Sequence, residues 1–346
     1  MRLPFGRAAI AVALGVFAMS ETTSAQTIDG PAVAWKFSTW GKARAFTVGV
    51  EAVAKLVKEK TGGKFDIAIH YDEALSKERE TLDGIKLGTF QGAHFCNFHN
   101  PAKNPAWMVF ALPFLPLGDW DVSQKVRSAM LKHPALVADM ARWNAVPYMS
   151  ALLPQSEFLG KGEPPTTFEG WKGKRVRAGG GLGDAMVILG AIRSTVPAGE
   201  VYAAMERSTI DAASFPFTSA HATYKLHEVS TWFTSNMSPG TSECAAIFNR
   251  EALKALPPQY QKLLDDVLPE AYKTQIEAYK AIDAANIAMF KVKLKEIVYT
   301  AAERARFEKV AGQPVWDKWV KDNQGKFDAR GVLDAIRSEI KKASGT

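Results

Sequence analysis

The amino-acid sequence predicts an α/β fold with two lobes. Along most of the chain, short apolar segments typical of strands alternate with segments whose apolar residues recur at helical spacing. Such alternation predicts largely parallel sheets with helices on both faces. The length of 346 residues also exceeds the size at which a single hydrophobic core stops growing, about 250–300 residues. The chain is therefore long enough for two lobes.

The order of the elements follows from these two periodicities and from the glycines and prolines between them. The segment 45–64 is predicted as a helix that stops at Gly62-Gly63. Further helices are predicted at 77–88, 121–144, 198–208 and 220–229, and strands at 65–71, 92–98, 146–153, 174–178, 210–215 and 243–249. From Pro258 to about Lys291 the sequence favours helix, with Pro269 either starting a new segment or kinking one. A helical stretch of this length is suited to bracing two lobes against each other.

The first 25 residues have the pattern of a secretory signal peptide. Arg2 and Arg7 form its positive end, an apolar run follows, and Thr23 to Ala25 form a small-residue cleavage site. The apolar run is shorter than the ~20 residues that span a bilayer. We therefore expect an exported protein, which is periplasmic if the source is Gram-negative. The formal net charge of +7 suits an anionic ligand, whereas the spread of Lys and Arg along the chain argues against nucleic acid.

The cysteines and histidines do not form a metal-binding pattern. Cys96 and Cys244 are the two cysteines of the chain. They can pair in an oxidising compartment, but the sequence leaves this open because pairing depends on geometry. His94 and His99 are five residues apart across a strand and the following loop, which is not the spacing of zinc ligands on one helical face.

The segment 172–191 combines a basic strand, a glycine run and a helix. Its glycines lack the spacing of a dinucleotide-binding or Walker loop, and Asp184 at the expected helix start would repel a phosphate. On the strand, Arg175 and Arg177 point to the same side. Arg177 is placed at the carboxyl end of this strand, where α/β sheets bind ligands, and its planar fork suits a carboxylate. Surface ion pairs for both arginines are the alternative.

Several segments in the same order resemble the solute-binding proteins of tripartite ATP-independent periplasmic (TRAP) transporters, the DctP-like family. The most specific runs from "FEGWKGKRVRAGG" to "IDAASF" (168–215). "EKTGGKFDIAIHY" to "IKLGTF" (59–90) and "CAAIFNREALKALPPQYQKLL" (244–264) are similar to two further segments of that family. The resemblance covers nearly the whole mature chain. It implies a two-lobed, Venus-flytrap type of binding protein that captures an organic acid and hands it to a membrane permease.

The resemblance also implies an organisation for the chain. We expect the first lobe to comprise residues 26–154 and about 243–285, and the second lobe residues 155–242 and about 286–346. The long C-terminal helix would bridge them. We expect a monomer that needs no cofactor and whose partners are a small organic acid and the membrane subunits of a TRAP permease.

Family motifs assign roles to several residues of the second lobe. The arginine of the family's "KiR" motif grips the ligand carboxylate, and it corresponds to Arg177. One branch of the family binds 2-oxo acids with a metal ion, through a glutamine that Gln155 matches and a Glu-Trp pair that is Ser214-Phe215 here. Because the carboxylate of that pair is missing, the resemblance leaves the metal open, with Glu243 as a candidate replacement. Phe215 adds an aromatic wall, or else packs in the core.

Two loops of the first lobe supply further candidates. Trp40 and Arg44 lie in the loop and helix start after a strand expected just before Trp40, and Asn97 and Phe98 lie at the end of the strand-like segment 92–98. Both loops are placed at the edge where a ligand crevice forms. Trp40 and Phe98 are suited to stacking on a ring or lining an apolar slot.

These observations favour a binding protein over an enzyme. A secreted hydrolase or lyase is the alternative, but the sequence has no G-x-S-x-G motif and no recognisable Ser–His–Asp arrangement. A single arginine fork next to aromatic residues favours a monocarboxylate or 2-oxo acid, aromatic ones included. A second cationic anchor, Arg44 or Arg175, would instead favour a dicarboxylate.

Overall fold

The computed structural model describes Met1 and residues 27–345, so all of the predicted signal peptide (1–25) except Met1 lies outside the described residues. The strands are β1 Val33–Ser38, β2 Phe65–His70, β3 Gly92–Cys96, β4 Ala145–Ser150, β5 Ser156–Gly160, β6 Arg175–Arg177, β7 Ile192–Ser194, β8 Ala212–Pro216, β9 Trp232–Thr234, β10 Cys244–Asn249 and β11 Lys295–Ile297. The helices are α1 Val48–Lys60, α2 Thr81–Leu87, α3 Trp120–Met130, α4 Pro134–Ala141, α5 Gly180–Ile188, α6 Val201–Glu206, α7 Ser219–Thr223, α8 Arg250–Ala255, α9 Pro258–Asp266, α10 Leu268–Lys293, α11 Ala301–Phe307, α12 Gln313–Asn323 and α13 Ala329–Ser344. Among the described residues, no helix is both long and apolar enough to cross a bilayer.

Two sheets define the two lobes of the described chain. The sheet of the first lobe has the order β2-β1-β3-β10-β4, and that of the second lobe has the order β11-β9-β5-β8-β6-β7. β10 and β5 run antiparallel to both of their neighbours, whereas the other pairs are parallel. The prediction of largely parallel sheets is therefore wrong for these two strands. Each of them receives the chain directly from the other lobe, so it enters its sheet in the opposite direction.

The first helix shows how sequence period sets packing. Val50, Val53 and Val57 of α1 recur at helical spacing and are buried in the core of the first lobe. The chain leaves the helix through Gly62 and Gly63, whose φ angles of +59° and +84° favour glycine. The predicted stop at these glycines is confirmed, and it returns the chain to the sheet as β2.

Prolines decide where two predicted helical stretches divide. The segment 121–144, predicted as one helix, forms α3 and α4 because Pro134 cannot continue a helix from the preceding turn. Pro134 instead lies in the first turn of α4, where the side chain of His133 accepts a hydrogen bond from the backbone N–H of Ala135 at 3.3 Å. Pro269 lies in the first turn of α10, so it starts a new helix rather than kinking one.

The chain passes between the lobes along two short segments and one long helix. Residues 151–155 connect β4 to β5, and residues 235–243 connect β9 back to β10. The helix α10 begins in the core of the first lobe, where Tyr272 and Tyr279 are buried, and ends with Phe290 in the core of the second lobe. The predicted bridging helix is therefore confirmed.

The C-terminal end of the chain returns to the first lobe. Phe307 of α11 is buried in the core of the second lobe. After it, Val332 and Ile336 of α13 share a core with Phe95 of β3. The expected assignment of residues 286–346 to the second lobe therefore does not hold for α13, whose amphipathic face covers the first lobe.

Candidate ligand-binding site

A cavity of about 260 Å³ lies between the lobes. Residues at or just beyond the carboxyl ends of β1, β3, β6 and β8 contribute to it, as expected for α/β sheets. Its chemically most informative lining residues are Trp40, Arg44, Phe46, Glu78, Phe98, His99, Arg177, Phe215 and Tyr224. Both lobes therefore supply charged and aromatic side chains to one shared space.

Arg177 reaches this cavity from the second lobe. Its Nη1 donates a hydrogen bond to the carbonyl oxygen of Ser214 at 2.8 Å, and its Nε donates to that of Val196 at 3.3 Å. The guanidinium lies 4.2 Å above the ring of Phe215. Burial lowers the pKa of Arg177 to about 10. Among the described residues no carboxylate forms an ion pair with Arg177. Its guanidinium is therefore held in a fixed orientation, but its positive charge is not neutralised.

Arg44 reaches the same cavity from the first lobe and is held in a similar way. Its Nη1 donates to the carbonyl oxygens of Lys42 at 2.8 Å and Trp40 at 3.2 Å. The guanidinium lies 4.6 Å from the centre of the Phe46 ring. Burial lowers the pKa of Arg44 as well. Within the described chain, Arg44 also forms no ion pair with a carboxylate, so the cavity holds two such arginines on opposite walls.

Aromatic side chains form much of the remaining wall. Trp40 contacts His99 and Phe46, with ring centres 4.9 Å and 5.1 Å apart. Phe98 lies 4.5 Å from the ring of His99. Phe215 is buried and packs against the guanidinium of Arg177. It is therefore both a residue of the site and a residue of the core, the two alternatives that the sequence left open. These surfaces suit an apolar or aromatic ligand body.

One acidic side chain also lines the cavity. Glu78 belongs to the loop between β2 and α2, and its Oε2 lies 3.4 Å from Nε2 of His99. Burial and Glu73 raise the pKa of Glu78, while the charges of Arg79 and Arg177 oppose this change. Burial lowers the pKa of His99 to about 3, so this imidazole is neutral at physiological pH.

Three residues predicted for the site lie outside the cavity lining. Asn97 is fully buried and donates from Nδ2 to the carbonyl oxygen of Trp107 at 2.9 Å. The Nε2 of Gln155 donates to the carbonyl oxygen of Leu115 at 2.9 Å. Glu243 is fully buried and forms an ion pair with Arg127. Each of these polar groups supports the structure around the crossing segments or the strand ends.

The residues present do not fit a metal-assisted 2-oxo acid site. Ser214 and Phe215 offer no side-chain carboxylate, and the amide of Gln155 is turned away from the cavity to Leu115. Arg175 is likewise unavailable as an anchor, because Asp211 holds it through two hydrogen bonds of 2.6 Å and 3.0 Å. In the part of the chain that the structure describes, no cluster of three acidic, histidine or cysteine side chains is arranged for a metal.

The glycine run brings the two lobes into contact beside the cavity. Gly180 has a φ of +52°, and a Cβ on it would lie 2.9 Å from Cβ of Ala111. A Cβ on Gly181 would lie 2.7 Å from the carbonyl oxygen of Ala111. Ala111 belongs to the short 3-10 helix Trp107–Ala111 of the first lobe. The glycines thus allow the close approach of the facing lobe.

Cys96 and Cys244 form a disulfide that also lines the cavity. They are paired neighbours on the antiparallel strands β3 and β10. The question of pairing that the sequence left open is thereby answered. The bridge joins β10, which receives the chain from the second lobe, to the carboxyl end of β3, two residues before Phe98.

A larger groove of about 660 Å³ lies on the other side of the glycine run. Its main cations already have carboxylate partners, as Arg142 pairs with Asp139 and Arg193 pairs with Asp184. The groove is therefore electrostatically closer to neutral than the smaller cavity. Arg177 and Arg44 make the smaller cavity the better candidate for an anionic ligand.

Two lobes joined by crossing segments, with a charged cavity between them, define a ligand-binding protein of the two-lobed type. Residues 38–323 match the family described as bacterial extracellular solute-binding protein, family 7. Because this match covers most of the 346 residues, the chain belongs to that family. The predicted family, the binding rather than enzymatic role and the periplasmic location are confirmed by this membership and by the relatives described next.

Two curated relatives match most of the chain. A monocarboxylate 2-oxoacid-binding periplasmic protein from Nostoc sp. is 26% identical over 296 residues, which are 80% of this chain and 77% of the relative. The C4-dicarboxylate-binding periplasmic protein DctP from Rhodobacter capsulatus is 27% identical over 285 residues, 78% of this chain and 81% of the relative. A TRAP solute-binding protein from Rhodoferax ferrireducens, crystallised with copurified benzoate, superimposes with a TM-score of 0.79 at 21% identity and covers 90% and 99% of the two chains. This structural match confirms the predicted two-lobed α/β fold.

Proposed function

We propose that this protein binds an organic carboxylate in the cavity between its lobes, with Arg177 as the main anchor. The proposal rests on the contacts of the Arg177 guanidinium. This group is oriented by two carbonyl oxygens and by Phe215, and it has no ion pair with a carboxylate of the described chain. A bound carboxylate would supply the missing negative charge and accept the remaining N–H donors of the fork.

The cavity wall favours a monocarboxylate with an apolar or aromatic body. Trp40, Phe98 and Tyr224 line the space, and its volume of about 260 Å³ suits a small acid. The Nostoc relative is named for monocarboxylate 2-oxoacids, and the Rhodoferax structure holds benzoate. Both names are compatible with a single carboxylate on Arg177, although the metal of a 2-oxo acid site has no matching ligands here.

A dicarboxylate is the second candidate, and Arg44 is the observation that favours it. This arginine faces the cavity from the opposite lobe without an ion pair to any described carboxylate. A ligand with two carboxylates would neutralise both walls, and the Rhodobacter relative is named for C4-dicarboxylates. Such a ligand would also join the lobes electrostatically.

Delivery to a membrane permease completes the proposal. The family membership supports a carrier that captures its ligand outside the cytoplasm and releases it to the membrane subunits of a TRAP transporter. Closure of the lobes around the ligand would couple binding to recognition by the permease, since the ligand contacts both walls of the cavity only when the lobes are together.

The test combines a ligand screen with one substitution. The protein without its first 25 residues is screened by thermal shift against monocarboxylates, 2-oxo acids and dicarboxylates, and hits are measured by calorimetry. We expect Arg177→Ala to lose about 2–5 kcal/mol of binding free energy, as for a truncated partner of a buried charge pair. Its melting temperature without ligand should stay close to that of the wild type, because no internal ion pair is broken.

The matched control is Arg207→Ala, which removes an exposed arginine on the same lobe. It should leave both affinity and melting temperature unchanged. An Arg177→Ala protein that keeps the wild-type affinity for every hit would contradict the proposed role of this residue. Absence of any hit among the three classes of acid would contradict the proposed ligand class.

A further inference from the structure

The carboxylate of Glu78 is a charged group of the cavity that carboxylate binding by Arg177 leaves without a role. Hydrogen bonds hold the backbone of its loop at Glu78 and at the next residue. The backbone N–H of Glu78 donates to Oε1 of Glu73 at 2.9 Å, and Asn100 donates from Nδ2 to the carbonyl oxygen of Arg79 at 2.6 Å. Glu78 is therefore held in place on the cavity wall rather than extended into solvent, and 24% of its side chain is exposed.

His99 determines what Glu78 can still bind. The imidazole is 7% exposed, and its Nε2 lies 3.4 Å from the Glu78 carboxylate. A neutral imidazole has one N–H, and an Nε2–H directed at Glu78 leaves Nδ1 as an acceptor. Nδ1 is buried without a hydrogen-bond partner among the described residues. The pair thus presents acceptor atoms, chiefly the second carboxylate oxygen of Glu78, and no further side-chain donor.

An acceptor in a ligand cavity selects a ligand that brings a donor. A second carboxylate next to Glu78 would meet a like charge, which is unfavourable. A protonated amine would pair with Glu78, but Arg44, Arg79 and Arg177 also line the cavity and would repel it. A hydroxyl group donates a hydrogen bond without carrying a charge, so it satisfies Glu78 at no electrostatic cost.

From this arrangement we infer that the ligand is a hydroxy acid whose hydroxyl group donates a hydrogen bond to Glu78 while its carboxylate pairs with Arg177. The inference rests on the proposed function, since it needs Arg177 to fix the opposite end of the ligand. Glu78 then discriminates between acids that differ in one hydroxyl group. A site built to bind a hydroxyl rejects the analogue without it, because the polar group of the protein is left unpaired.

Three matched pairs of acids test this selection: butyrate with 3-hydroxybutyrate, benzoate with 3-hydroxybenzoate, and succinate with malate. Affinities are measured by calorimetry for the wild type, Glu78→Gln, Arg177→Ala and the control Glu80→Gln. Glu80 is exposed, two residues away on the same loop and outside the cavity lining. In at least one pair, the wild type and the control should bind the hydroxy acid tenfold or more tightly than its partner.

In Glu78→Gln this preference should fall to about twofold or less, while the affinity for the acid without the hydroxyl stays similar or rises. A wild type that binds acids without any preference for the hydroxylated member overturns the inference. So does a preference that survives unchanged in Glu78→Gln, because the hydroxyl is then bound elsewhere. If none of the six acids binds, the inference is also overturned.

Arg177→Ala separates the two ideas. Loss of both members of a pair in this variant supports carboxylate binding by Arg177, whatever the outcome at Glu78. Retained affinity for both members overturns the proposed anchor, whereas the ratio between the members still reports on Glu78. The melting temperature of each variant without ligand identifies a folding defect, and the preference of the wild type decides the inference even if Glu78→Gln does not fold.

Discussion

Arginine is used differently in two regions of this molecule. At the crossing between the lobes, Arg127 is fully buried and forms an ion pair with the equally buried Glu243. It also donates to the carbonyl oxygens of Ser242 and Leu153, one from each crossing segment. In the cavity, Arg177 is held by carbonyl oxygens and an aromatic ring, and no carboxylate of the described chain neutralises it.

The difference lies in where the counter-ion comes from. Arg127 has an internal partner, so its charge contributes to joining the two crossing segments and does not depend on any ligand. Arg177 has the same need for a negative charge, but the fold supplies only neutral acceptors. The partners of the two arginines therefore assign Arg127 to structure and Arg177 to binding. Substitution tests this difference directly: Arg177→Ala should affect binding, and Arg127→Met should affect folding.

Removing the arginine of the internal pair should destabilise the fold most. In Arg127→Met the carboxylate of Glu243 stays buried without its partner, which costs about 3–5 kcal/mol in comparable cases. We expect a decrease of this size in the free energy of unfolding, measured by denaturant titration. The double variant Arg127→Met/Glu243→Leu should recover much of it, since no isolated charge remains. A double variant less stable than the single one would contradict this account.

Glu157 is a buried carboxylate that forms no ion pair with an arginine of the described chain. Burial raises its pKa from 4.5 to about 7, against the hydrogen bonds it accepts from Thr234, Met237 and Ser238. Between these pH values the folded state holds a proton that the unfolded state has released. Stability from Glu157 is therefore present below about pH 4.5 and is lost as the pH rises to 7. Over this range the loss amounts to roughly 3 kcal/mol.

The variant Glu157→Gln isolates this contribution because an amide does not titrate. Denaturant titrations at pH 4.5, 6 and 8 should show the wild type losing stability relative to the variant as the pH rises. Buried His94, His99 and His221 have pKa values lowered to about 3, so they act in the opposite direction, but equally in both proteins. A difference between the two proteins that is constant with pH would show that Glu157 titrates normally.

Arg44 should give the smallest of these effects and reveal whether both walls bind the ligand. We expect Arg44→Ala to weaken binding about tenfold, or about 1.4 kcal/mol. This lies between the value of an exposed ion pair, below about 1 kcal/mol, and that of a buried one, about 2–5 kcal/mol. Calorimetry with succinate and butyrate distinguishes the ligand classes: a dicarboxylate should lose more than a monocarboxylate. Lys42→Ala, an exposed neighbour, is the control. Unchanged affinity for both acids would remove Arg44 from the site.

The sequence predicted many of the longer elements, but it did not predict the helices α12 and α13 or the strand β5. β3 and β10 are five and six residues long and mostly apolar, and α1 has several helical repeats. β7, β9 and β11 have three residues each, which is too short for an alternation, and they were not predicted. The antiparallel direction of β5 and β10 also has no local signal, because it depends on which lobe the chain comes from.

Residues of the site could be predicted where their position at the end of a strand is enough to place them in the cavity. Arg177, Phe215, Phe98, Trp40 and Arg44 lie at or after strand ends and do line the cavity.

The sequence did not show which of two adjacent residues faces the cavity, nor which distant residues meet. Asn97 precedes Phe98 in the turn after β3 but is buried, because its Nδ2 donates to the carbonyl oxygen of Trp107. Glu243 is 116 residues from Arg127, and the sequence around either residue does not predict their contact. Glu78 lies in the charged stretch "KERE", whose residues resemble an ordinary solvated helix start.

Trp40 gives the molecule an optical property as well as a wall. The chain has nine tryptophans, and three of the bulkiest buried side chains, Trp107, Trp171 and Trp232, lie inside the lobes, where a ligand does not reach. The indole of Trp40 borders the cavity itself. Its emission colour and yield therefore depend on what occupies that space. Uptake of an acid can be followed by intrinsic fluorescence without a dye, and Trp40→Phe identifies the source of the signal.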